Sequence, residues 1–168
     1  AVKAALRIPV VANGDIDSPQ KARRVLELTG ADALMIGRAA QRRPWIFREI
    51  AHFLACGAHL PPPTVSEAHA AIVAHLDDHY AFYGEEPGAR IARKHLGWYT
   101  KDLRGGDAFR REVNTAETTA AQLSAVHRFF DSLAVLGERL EYRAALADLV
   151  DARDAFGRAR HSSNQGRE

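Results

Sequence analysis

The 168-residue sequence predicts an α/β segment followed by an all-α helical bundle domain. Three observations carry that prediction. Two short apolar runs, Ile8–Ala12 (IPVVA) and Ala33–Ile36 (ALMI), each lead into a glycine turn and then a helical pattern, as strands of a parallel sheet buried on both faces do. Leu60-Pro61-Pro62-Pro63 is a stiff break between two kinds of pattern. Beyond it, apolar residues recur at helical spacing.

The elements follow in order. After the first strand, Asn13-Gly14-Asp15 is turn chemistry. Ser18-Pro19 is a helix start, with Ser as N-cap and Pro at the first helical position. This helix stops at Thr29-Gly30, where glycine suits the residue past a helix end. Gly37 closes the second strand, a short basic helical turn follows, and Pro44 opens a helix ending near Cys56-Gly57. Thr64 and Glu67 fit a capping box for a helix carrying Ile72, Leu76 and Tyr80 and closing at Gly84. The next helix starts at Glu85-Glu86-Pro87 and runs to about Leu103. Asp107 is expected to cap a short helix to Val113, and Asn114-Thr115 to precede a long one with Leu123, Val126, Phe129, Phe130 and Leu133. Leu140–Ala159 reads as helical again, with a polar tail. The predicted organisation is therefore 1–60, an α/β unit; 61–136, a helical domain; and 137–168, a helical extension and tail of unassigned role. Two parallel strands cannot bury both their faces without neighbours. The opening lacks an initiator Met, and a piece of a longer α/β sheet or barrel protein is the expectation.

Composition sets bounds. Hydrophobic residues make up 46% and charged residues 26%, an ordinary globular balance. A net charge of +2 supplies no global cationic field, so any nucleic-acid surface is local. The single cysteine, Cys56, excludes a disulfide framework and a multi-cysteine metal site. No apolar run approaches the roughly 20 residues of a membrane span, and nothing resembles a secretory signal. A cytoplasmic protein without membrane partners is expected.

Two constellations carry chemistry. Asn13, Gly14 and Asp15, with Gly37 and Arg38, sit just past the carboxyl ends of the two strands, where α/β folds bind ligands. Glycine permits close backbone approach, its N–H groups suit phosphate, and Arg38 adds a permanent planar cation. The same pattern also suits two ordinary strand-to-helix turns. On the helix beginning near 87, Arg90, Arg93, Lys94, Gly97, Lys101 and Arg104 share one face at about 100° per residue. Ala92, Leu96, Tyr99 and Leu103 take the opposite, core-like face, and Ile91, His95, Trp98 and Asp102 the flank. A segregated basic stripe fits RNA backbone binding, extended by Arg110, Arg111 and His127, or else a solvated helix face. Trp98 and Tyr99 read as packing residues in preference to base-stacking platforms.

Other signals are weak. His75 and His79 lie at i,i+4, but no H-E-x-x-H is present, so no metal site is expected. Asp77-Asp78 reads as a solvated acidic step, and Cys56 has no obvious basic partner. G-x-S-x-G, G-x-x-x-x-G-K and G-x-G-x-x-G are all missing from the sequence, which removes the main support for serine-hydrolase, P-loop and Rossmann readings.

The run IPVVANGDIDSPQKARRVLELTGADALMIGRAAQRRPWIFREI resembles the last two barrel units of bacterial tRNA-dihydrouridine synthases, the B-type subfamily most closely. FYGEEPGARIARKHLGWYTKDL and FRREVNTAETTAAQL resemble that family's C-terminal helical domain. The resemblance covers about residues 7–130. It implies the last two β/α units of a TIM barrel, FMN as cofactor, NADPH as reductant and tRNA as partner. The implied activity is reduction of a D-loop uridine to dihydrouridine, on a base extruded from its stack. It places Asn13, Gly14 and Asp15 on the family's flavin-binding turn, and Gly37 and Arg38 on its phosphate site. Arg90, Arg93, Lys94, Lys101 and Arg104 would lie in the tRNA-binding domain. The proton-donating cysteine and other flavin contacts come from earlier strands, so no catalytic residue is assigned here; Cys56, after the last barrel strand, is not that donor. The piece alone is expected to be inactive. Two other readings compete: a different FMN barrel oxidoreductase of the dihydroorotate dehydrogenase kind, and a non-catalytic RNA-binding helical module.

Overall fold

The structure is a computed structural model and describes residues 2–142. A short helix, α1 (Val2–Ala5), precedes β1 (Val11–Asn13), α2 (Pro19–Thr29), β2 (Ala33–Met35), α3 (Arg38–Arg42) and α4 (Ile46–Cys56). The two strands pair in parallel, Val11 opposite Ala33 and Asn13 opposite Met35. Local chemistry sets the helix ends. The Ser18 hydroxyl accepts from the Lys21 N–H at 3.3 Å. Gly30 and Gly57 both close their helices at φ of 64° and 76°, a left-handed conformation that glycine adopts without a Cβ penalty. Ile16, Ala22, Ile46 and Ile50 form a small core between α2 and α4.

After an extended proline linker come α5 (Val65–Tyr83), α6 (Glu85–Thr100), α7 (Gly106–Thr115) and α8 (Thr119–Leu136). The Thr64–Glu67 capping box forms in full. Ile72 and Leu76 of α5, Leu96 of α6, Phe109 and Val113 of α7, and Val126 and Phe130 of α8 make the main core. Gln122 is fully buried within it. Its amide donates to the Ala89 carbonyl at 2.7 Å and its oxygen accepts from the Tyr80 hydroxyl at 2.9 Å, so burial leaves no polar atom of that side chain stranded.

The chain then turns back as a strap. Glu138 accepts from the Val65 N–H, the Leu140 N–H donates to Pro63, and the Arg139 guanidinium donates to Pro62. Tyr142 bridges to Leu103.

Several expectations need correction. Strand β1 starts at Val11, not Ile8, and includes Asn13; β2 ends at Met35. Neither is buried on both faces: Val11 is 55% and Met35 57% exposed, because among the described residues no further strand covers them. Helix α6 ends at Thr100, so Lys101 and Arg104 lie in the turn that follows. Asp107 is inside α7, whose N-cap is Gly105, and Asn114-Thr115 still belong to that helix; Thr118 caps α8. Residues 140–142 are extended, not helical, because they pair with the linker and the α6 turn. The rest of the 137–168 extension lies outside the described residues.

Candidate functional site

Parallel neighbouring strands end at the same side of a sheet. Asn13 and Met35, the last residues of β1 and β2, are register partners. The Gly14–Asp15 and Gly37–Arg38 turns therefore emerge side by side. Together with Asn13 they line one open cleft of about 1110 Å³. The five strand-tip candidates thus share a hollow.

Two features suit that hollow to a ligand. A Cβ placed on Gly14 or Gly37 meets nothing within 4 Å, and neither glycine lies in the left-handed region of φ. Their missing side chains are not demanded by a left-handed backbone or by packing among the described residues. The second feature is charge: Arg38 pairs with Asp15 across the two tips while its side chain stays 81% exposed. Asp15 itself holds a left-handed φ of 46°, uncommon outside glycine and favoured by short Asx side chains.

The opposite wall comes from the helical part. Trp98 and Lys101 line the same cleft, as do Arg42 and Arg43. Arg42 of α3 pairs with Asp102 just beyond α6, tying the α/β unit to the helical unit. Arg43 pairs with Glu49. Tyr142 also lines the cleft; burial pushes its hydroxyl up to about 12. Arg42, Arg43 and Tyr142 were not foreseen as site residues. The Gln-Arg-Arg run at 41–43 was the available signal for the arginines. Tyr142 had none, because its place depends on the strap.

The basic stripe divides. Arg90, Lys94, Lys101 and Arg104 are exposed. Arg93 is half-buried and donates to the Ala116 carbonyl at 2.9 Å, holding α6 to the α7–α8 connection. Gly97 admits the Arg110 stem, whose Cδ lies 3.5 Å from a Cβ added there, so its close approach is taken up within the chain. Arg110 pairs with Asp107. His127 does not extend the stripe; it meets His69 at 2.9 Å where α5 and α8 pack. The Lys94 ammonium sits 4.8 Å from the Trp98 ring centroid, within cation–π range.

His75 and His79 of α5 meet His95 of α6, with ring centroids 5.2 and 5.4 Å from the His95 ring. Tyr99 and His75 share a 2.8 Å hydrogen bond. Burial first, and then neighbouring histidines, push His75 and His95 below the ordinary imidazole value. Among the described residues no group of three His, Cys, Asp or Glu has metal-holding geometry, and no helix is long and apolar enough to cross a membrane.

A family model described as dihydrouridine synthase (Dus) matches residues 1–134. The chain is 61% identical over 132 residues to tRNA-dihydrouridine synthase B of Xanthomonas axonopodis pv. citri, covering 79% of this chain and 40% of that protein. The protein of the same name from Pseudomonas aeruginosa is 56% identical over 130 residues, covering 77% of this chain and 39% of its own length. That from Vibrio cholerae is 56% identical over 134 residues, with 80% and 42% covered. The chain thus spans about two fifths of the length of these curated relatives. A match across both the strand-tip turns and the helical unit assigns the chain to the dihydrouridine synthase family.

Proposed function

We propose that this chain supplies the cofactor-phosphate corner and the RNA-gripping module of a tRNA-dihydrouridine synthase. The reaction is reduction of a D-loop uridine in tRNA to 5,6-dihydrouridine, with FMN as the flavin and NADPH as its reductant. One observation carries the reading: a single cleft is lined on one side by Gly14, Gly37 and Arg38, and on the other by Trp98 and Lys101 of the helical unit. A site that brings a flavin to an RNA base needs those two walls to face each other.

The residues fit the cofactor. The open space at Gly14 and Gly37 leaves room for a phosphate to approach backbone N–H groups. Arg38 offers a planar donor fork to that anion, with Asp15 orienting it. When bound, the flavin supplies the hydride chemistry. The chain's own residues hold the phosphate, orient the arginine and present cations to the RNA. Arg90, Lys94, Lys101 and Arg104 neutralise backbone phosphates, the main source of RNA affinity. Arg93 supports them by fixing α6.

The exposed strand residues Val11 and Met35 and the two strand edges that no strand among the described residues pairs with fit a sheet continued by further strands, as the last two β/α units of a TIM barrel require. Residues 1–60 then form the barrel end and 61–136 the tRNA-binding domain. The test is position-resolved dihydrouridine analysis of tRNA from cells lacking the gene. Loss at a D-loop site, restored by the gene on a plasmid, supports the proposal. An unchanged dihydrouridine content at every position refutes it.

A further inference from the structure

We propose that Trp98 is a base-stacking residue of the RNA site, taking a nucleobase of a single-stranded or extruded nucleotide while Lys94 meets an adjoining phosphate. The inference rests on the RNA-binding reading above and goes beyond it by naming how a base is held.

The packing of α6 does not require the indole. Ala92, Leu96 and Tyr99 are the buried residues on the core side of this stretch of helix, while Trp98 is half-buried on its flank. The indole instead lines the cleft, whose walls also carry Lys21, Arg38, Gln41 and Lys101. A large apolar ring in a charged hollow gains more from a flat partner than from water.

Its orientation is set in advance. Lys94 lies 4.8 Å from the ring centroid and the His95 ring stands at 90° to it, 5.2 Å away. Behind His95 are His75 and His79, so the support is itself packed. A ring held in place loses little rotamer freedom on binding. Lys94 lies one helical turn before Trp98, and Lys101, just past the end of α6, lines the same cleft. An aromatic ring flanked by backbone-neutralising cations is the arrangement that single-strand binders use, where each stacked base contributes severalfold or more to affinity.

The experiment uses the full chain with an unmodified tRNA transcript and an oligouridylate as probes. The chain has two tryptophans, Trp45 and Trp98, so Trp45→Phe leaves only the Trp98 signal. Stacking predicts that RNA quenches that emission. Trp98→Leu then weakens binding about ten-fold, a loss that persists as salt rises; Trp98→Tyr keeps most of the affinity. A ring that only positioned Lys94 would instead lower the salt slope alone, and the loss would vanish at about 1 M salt. If RNA binds but Trp98 emission does not move, or if Trp98→Leu binds as tightly as the unaltered chain, the stacking role is overturned while the RNA reading stands. Failure of the unaltered chain to bind either RNA at low salt overturns both.

Discussion

Replacing Lys94 and Lys101 together with alanine gives the sharpest test of the RNA face. Both side chains are exposed, and Lys101 lines the cleft. Arg93, by contrast, is engaged with the Ala116 carbonyl, and Arg110 with Asp107. A cation that neutralises a phosphate contributes about 0.7 to the slope of log K against log[salt] for a single-stranded target and about 0.9 for B-DNA. Losing two such contacts lowers the slope by about 1.4. Because that contribution vanishes near 1 M salt, the affinity loss at about 0.1 M is roughly 25-fold, and the two titrations converge as salt rises. Fluorescence-anisotropy titration of labelled tRNA over a potassium chloride series reads this directly. Arg128→Ala serves as control, since Arg128 of α8 is paired with Glu112 of α7, outside the cleft, and leaves the slope unchanged. An unaltered slope in the double variant would show that these lysines are solvated surface and not phosphate contacts.

Gly14→Ala meets no atom within 4 Å, so thermal stability is unchanged or higher by at most about 1 kcal/mol. The same methyl group, with Arg38→Ala as its charge-removing counterpart, lowers the flavin retained by the FMN-loaded protein through gel filtration; equal retention counts against the phosphate corner. Gln122→Ala removes the acceptor of the half-buried Tyr80 hydroxyl and the amide's bond to the Ala89 carbonyl and costs about 1–3 kcal/mol in urea unfolding; a loss below about 0.5 kcal/mol would contradict the buried network. The histidine cluster predicts acid sensitivity. His75 and His95 are held below their ordinary value by burial and by their histidine neighbours, with Asp78 opposing this at His75 and Lys94 adding to it at His95. The unfolded chain therefore takes up protons first as pH falls below about 6.5, and stability present above that pH declines through the interval down to the folded values. Urea midpoints between about pH 8 and pH 5 should fall, and His75→Gln with His95→Gln should flatten the decline; a level profile for the unaltered chain refutes it.

What was legible in the sequence was local. Ser18 with Pro19, Gly30, Thr64 with Glu67 and Gly84 signal helix ends through contacts within a few residues, and those ends stand where the pattern puts them. The buried face of α6 follows from its periodicity, and Ala92, Leu96 and Tyr99 are all buried. The five strand-tip residues were legible because turn glycines after apolar runs mark the carboxyl ends of strands. The rest depends on partners far along the chain. Arg93 carries the same charge as Lys94, yet Ala116 decides that one is tethered and the other exposed. Gly97 looks open until Arg110 arrives from α7. Leu103 continues the apolar period of α6, yet it bridges to Tyr142 instead, and no local signal reports that bridge. His95 gives no hint in its own helix that His75 and His79 stand across from it.

The strap gives the helical unit an unusual boundary. Thr64 and Arg139 lie opposite one another in a bridge, and the Arg139 guanidinium reaches Pro62, 77 positions back along the chain. Entrance and exit of the bundle therefore sit at one doorway. A segment with such a shared threshold has the end geometry of a cassette: seated in a surface loop of a host, it would not pull the host's two cut ends apart.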